Sequence, residues 1–300
     1  MIVLRHPAVA RALVGVLVLA GLVTGCSTVP DRSAAADAIT DRLRALPGVL
    51  AVDGQYANGM VEGVSYHVDI RMDGRSDLPQ LLATVDTFYD GLAGADFAGH
   101  TSRYMVRRGD DLIQVFGDDR YRERPTDDVR RWVELTDQVP GALRWAVGPD
   151  PATDIRSISV DLPDDVALSD AMAALAARAP DLADRRWIIR WHQLRLDLMG
   201  APYPPRRVIA TVEPLVADGD WSVTYDPAAD PALEMAVWAP NPERMEDTAR
   251  AHLPAVVALH IPVRYTVRGT MTDPAEVLVG GCLRTGSQLQ QRLNAEFGGC

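Results

Sequence analysis

Leu46-Pro47-Gly48 and Val139-Pro140-Gly141 each end an amphipathic helical stretch, and their glycines stand 93 positions apart. Proline and glycine stop a helix, so each triplet marks the point where the chain leaves one and turns. The same order of elements follows both triplets. After Gly48 come apolar stretches at 49–56 and 64–72. In the second, Val64, Tyr66, Val68, Ile70 and Met72 alternate with Ser65, His67, Asp69 and Arg71. That alternation predicts an antiparallel strand with one face on a core and one in water. A helix follows at 78–92, then strands at 102–106 and 112–116 across a turn at Gly109-Asp110.

After Gly141 the spacing predicts strands at 142–147 and 156–162, a helix at 168–179 and a strand at 186–192. A third pass, without a Pro-Gly stop, has a helix at 205–216, strands at 221–225 and 233–239, a helix at 242–253 and a strand at 262–268. A short strand at 276–279 and a helix at 287–297 close the chain. Each pass reads αββαβ, with an extra strand in the first, a recurrence expected of repeat architectures. The fold class is therefore α+β: tandem αββαβ units, antiparallel sheets, helices on one face. The expected units are 34–120, 121–200 and 201–300, with connectors at 117–125 and 200–205. Their sheets could also join into one continuous body. Units of this order are similar to BON domains, ferredoxin-like sandwiches of envelope lipoproteins, and Pro47-Gly48-Val49 echoes their turn.

Ahead of the repeats, Arg5 and Arg11 flank the start of an apolar run from 12 to 23, too short to span a bilayer and of the right length for a signal peptide. It ends in Val23-Thr24-Gly25-Cys26. This stretch resembles the lipobox signal of a bacterial lipoprotein, of actinobacterial type given the lysine-free, Ala-, Asp- and Val-rich composition. The resemblance implies cleavage of 1–25, a diacylglyceryl group on Cys26, acylation of the new N-terminus and a short tether, 26–33. It implies a cell-membrane location on the extracytoplasmic face, with the membrane as a partner through Cys26. Several acyl chains hold a protein stably because each buried methylene contributes about 0.8 kcal/mol.

All 30 basic residues are arginine. Without lysine the chain has no phosphate-gripping P-loop, no pyridoxal Schiff base and no Ser-Lys pair. Without residues 1–25 it carries 28 basic and 41 acidic residues, a formal charge of −13. That overall charge argues against nucleic acid as a partner. With Cys26 lipidated, Cys282 and Cys300 are the remaining cysteines, and in an oxidising compartment they are expected to pair.

His67, His100, His192, His252 and His260 show no metal-ligand spacing, and the acidic clusters sit at turn signals, where Asp bonds local backbone. No catalytic, metal or cofactor site is expected. Trp187, Trp191, Trp221 and Trp238 are the candidate ligand or partner face, because tryptophan and arginine are favoured at interaction hot spots. The reading is a non-enzymatic binding or scaffold module for an unknown envelope protein or lipid. The alternative is a carrier of an apolar lipid or glycolipid.

Overall fold

A computed structural model describes residues 30–59, 63–117, 124–148, 157–216 and 219–299. The signal stretch, Cys26 and Cys300 lie outside them. Twelve strands form one sheet, hydrogen-bonded in sequence order from β1 to β12. The repeating unit is αββ, shorter than the αββαβ unit expected from the sequence, and it occurs six times. The first unit is α1 (Ser33–Arg44), β1 (Val49–Gly59) and β2 (Gly63–Met72). The second is α2 (Leu78–Gly94), β3 (Thr101–Arg108) and β4 (Asp111–Gly117). The third is α3 (Thr126–Thr136), β5 (Ala142–Val147) and β6 (Ser157–Asp161). The fourth is α4 (Leu168–Arg178), β7 (Arg186–Trp191) and β8 (Leu194–Leu198). The fifth is α5 (Arg206–Leu215), β9 (Asp220–Tyr225) and β10 (Leu233–Trp238). The sixth is α6 (Met245–Val257), β11 (Val263–Arg268) and β12 (Ala275–Val279), followed by α7 (Gln288–Phe297).

Within a unit the two strands pair antiparallel, and between units they pair parallel. The sheet is therefore mixed, and the antiparallel expectation holds inside each hairpin. The limits near residues 120 and 200 fall between units, but β4 pairs with β5 and β8 with β9 across them. The chain is thus the single continuous body that the sequence left open. Gly48 and Gly141 do hold a left-handed backbone, with φ of +83° and +102°. A side chain on Gly141 would strike the Asp161 carbonyl, so the turn needs glycine.

The helices cover one face. Alternate strand residues such as Val68, Ile70, Trp145, Trp187 and Val223 are buried against Leu43, Phe88, Trp132 and Leu175 from the helices. Several buried aromatics carry a polar atom that finds a partner under the helix layer, while among the described residues the indole nitrogens of Trp132 and Trp221 are buried without one. The Tyr66 hydroxyl lies 2.9 Å from Thr40 Oγ1, Tyr104 pairs with Thr84 at 2.5 Å, and Tyr265 with His252 Nδ1 at 3.0 Å. The Trp145 indole donates to Asp128 at 3.2 Å and that of Trp187 to the Leu182 carbonyl at 2.9 Å. These bonds help fix where α1, α2, α3 and α6 sit along the sheet, because an unmet buried donor costs more than a made bond gains.

The two sheet edges differ. At β12, the Glu276 and Leu278 amides donate to Gln290 Oε1 and Asn294 Oδ1, both at 3.2 Å, and Asn294 returns a bond to the Glu276 carbonyl at 2.6 Å. Residues 290 and 294 are one helical turn apart on α7 and meet alternate residues of the strand. Asn294 is 1 % exposed, so Asn294→Ala strands two buried backbone groups. It is expected to cost about 2 kcal/mol in urea denaturation, against less than about 0.5 kcal/mol for exposed Gln288→Ala.

Candidate interaction surface

Opposite the helices the sheet is bare. Its outward residues follow the strand alternation, and the cross-strand registers set them in rows. In one row Arg71, Arg107, Leu112 and Arg144 succeed one another from β2 to β5. In another, Asp161, Arg190, Arg195 and Ser222 run from β6 to β9. Arg190 stands directly opposite Arg195, an arrangement that repels unless carboxylates intervene.

Carboxylates do intervene. Asp69 takes Arg107 at 3.2 Å. Asp161 holds both Arg144 at 3.1 Å and Arg190 at 2.8 Å. Asp197 holds Arg186 at 3.0 Å and Arg195 at 2.7 Å, and Glu234 takes Arg264 at 3.2 Å. Three of these four clusters straddle a parallel joint: β2 with β3, β6 with β7, and β10 with β11. Among the described residues Arg71 and Arg103 have no carboxylate partner, and Arg103 Nε is buried without an acceptor. Arg268 lies over the Trp238 ring, 4.9 Å from its centroid.

The four tryptophans do not share this face. Trp187 is 0 % exposed and Trp221 2 %, both under the helices. Trp191 shares their side, half-buried, with its ring 4.5 Å from that of His192. Only Trp238 projects from the open face, at 41 % exposure. Parity explains the split, since Trp187 and Trp191 alternate with outward Ile188 and Arg190, while Trp238 follows core-facing Val237. The charged residues of the open face are arginines and carboxylates, set among outward Leu112, Ile188, Ser222 and Trp238. The signal was present in the polar halves of the alternating strands.

The helix layer has one break. Neighbouring helices pack together along the sheet except α3 and α4, where a cleft of about 370 Å³ is lined by Asp127, Asp128, Arg130, Arg131, Trp145 and Arg185. Arg131 spans it, donating to Asp181 at 2.5 Å and to the Arg178 carbonyl at 2.9 Å. Arg185 stacks on Trp145 at 5.6 Å and stands 3.8 Å from Asp128. The cleft is thus a charged bridge across a gap. The histidines are dispersed, and among the described residues no three metal-ligating side chains converge. Burial and the neighbouring Arg103 push the His67 imidazole below its ordinary value.

Cys282 lies just beyond β12, and its expected partner Cys300 falls outside the described residues. The Gly299 amide donates to the Gly281 carbonyl at 2.5 Å. Comparison with known protein families, curated proteins and solved structures finds no match.

Asp197 ties the centre of the open face together. Burial pulls its carboxyl up, but Arg195 and Arg186 outweigh burial and hold it below the usual carboxylate range. A carboxyl depressed in the folded state contributes stability above the unfolded pKa of about 4, lost as pH falls through the folded value. Asp197→Asn is therefore expected to cost about 2 kcal/mol at pH 7, and the gap from the parent to narrow toward pH 3. Urea denaturation at the two pH values checks it.

Proposed function

We propose that this chain is a lipid-anchored extracytoplasmic envelope lipoprotein acting as a non-enzymatic binding or scaffold module, with the open face of its sheet as the working surface. The observation that carries this reading is the one-sided construction: twelve strands with all helices on one face and an arginine–carboxylate lattice on the other. A face this broad, with Arg71 and Arg103 unpaired among the described residues, suits a partner rather than a small substrate. The core between helices and sheet is filled by Trp132, Trp145 and Trp187, which supports this reading over a carrier with an apolar chamber.

Anchoring rests on the lipobox-like stretch ending at Cys26. Among the described residues no helix is long and apolar enough to cross a membrane. Cys26→Ala is expected to move the protein from the membrane fraction to the soluble fraction; retention, with an unlipidated N-terminus by mass spectrometry, would refute the anchor. The Gly299–Gly281 bond supports a Cys282–Cys300 bridge in that oxidising setting, and labelling of both thiols in unreduced protein would exclude it. For the face itself, photo-crosslinkers at Thr224 and Arg190 are expected to capture a partner in cells. A crosslinker at helix-layer Arg130 is not, and capture only there would overturn the assignment.

A further inference from the structure

We infer that the β1 edge is a seat for an extended segment of a partner protein, added to the sheet as a strand parallel to β1. This rests on the reading of the chain as a binding module and names how it takes one kind of partner.

The ladder fixes which backbone groups face outward. The Asp73 amide donates to the Gly48 carbonyl at 2.9 Å, and a one-residue bulge follows between Val49 and Ala51. Pairing to β2 then runs through Ala51, Asp53 and Gln55, so Val52, Gly54 and Tyr56 turn their N–H and C=O groups away from the sheet. One of these groups is met: Arg44 donates to the Val52 carbonyl at 3.3 Å. Beside them Leu50 is 60 % exposed, and a cleft of about 320 Å³ runs from Arg44 along residues 49–52. The other edge is closed by Gln290 and Asn294, so among the described residues one end of the sheet is guarded, while at the other no strand pairs with β1 along Val52, Gly54 and Tyr56.

The repeat says what fits. Strands β3, β5, β7, β9 and β11 stand where β1 stands in its unit, and each takes a parallel strand on the edge that β1 leaves bare. The strands that fill those seats turn aliphatic residues to the helices: Val68 and Ile70 on β2, Ile158 and Val160 on β6, Met235 and Val237 on β10. A second copy fits neither way. Its β12 is covered by α7. Its β1 would arrive with its own α1, and α1 packs chiefly over β1. Strands about 4.8 Å apart would then bring the two helices closer than the 8–10 Å they need. A strand without a helix has no such obstacle, and backbone pairing with alternate aliphatic side chains is how strand addition recognises a peptide.

The test uses the full chain in mild detergent and a labelled synthetic peptide of residues 64–72, the strand that fills the equivalent seat beside β3. Saturable binding by anisotropy is expected, with slowed amide exchange at Val52, Gly54 and Tyr56. N-methylation at alternate peptide residues in one phase is expected to weaken binding about tenfold or more, and in the other phase to leave it within about twofold. Arg71→Glu on the open face should leave peptide affinity unchanged, so failure of the edge and failure of the open face are told apart. Absence of saturable binding, equal loss in both phases, protection confined elsewhere, or β1 amides already protected in a self-associated chain would overturn the proposal.

Discussion

Everything in this fold depends on the parallel joint between one αββ unit and the next. An antiparallel pair can be closed by a short turn, but a parallel pair needs a crossover, and here that crossover is a helix lying on the sheet. Five such joints in succession place every crossover on the same face, because a right-handed strand–helix–strand connection in a sheet that never reverses its order always returns to the same side. The layering follows: one face is sealed by α2 to α6, with α1 and α7 at the ends, and the other is left to water. Parallel ladders are slightly weaker per residue. The arginine–carboxylate clusters at Asp69, Asp161 and Glu234 fall across three of the joints.

Much of this was legible from residue pattern. The alternation from Val64 to Met72 identifies a half-buried strand, and the Pro-Gly stops identify two helix ends whose glycines do carry positive φ. The repeat is shorter than the Pro-Gly spacing suggests because the two stops mark units one and three, and the intervening helix, α2, ends without one. The missing strand β8 has an equally local cause. Its turn is His192-Gln193, with His192 at φ of +50°, where glycine or asparagine would have announced a hairpin. Leu194, Leu196 and Leu198 alternate as a strand should, but no turn signal set them apart from 186–191.

The open face was harder to see, since its chemistry is spread over strands far apart in sequence. Asp161, Arg144 and Arg190 meet only because β5, β6 and β7 are neighbours in register. Tryptophan, the residue most often sought at interfaces, pointed the wrong way: large aromatics bury the most area, and here Trp187 and Trp221 spend it on the core. Trp238 is the exception because it lies one residue out of phase with the core-facing positions of β10.

The formal charge of the chain also misleads when read as a property of the whole surface. Arginines recur on the bare face along β2, β3, β5, β7, β8 and β11, while the helices and loops hold most of the excess of acid. A uniform acidic shell would repel any anionic surface equally from all sides. Among the described residues the bare face holds arginines and carboxylates in near balance, so the excess of acid lies on the helix side and in the loops. The bridged clusters keep those guanidinium groups pre-positioned, and a carboxylate that already shares itself between two arginines leaves each with donors to spare.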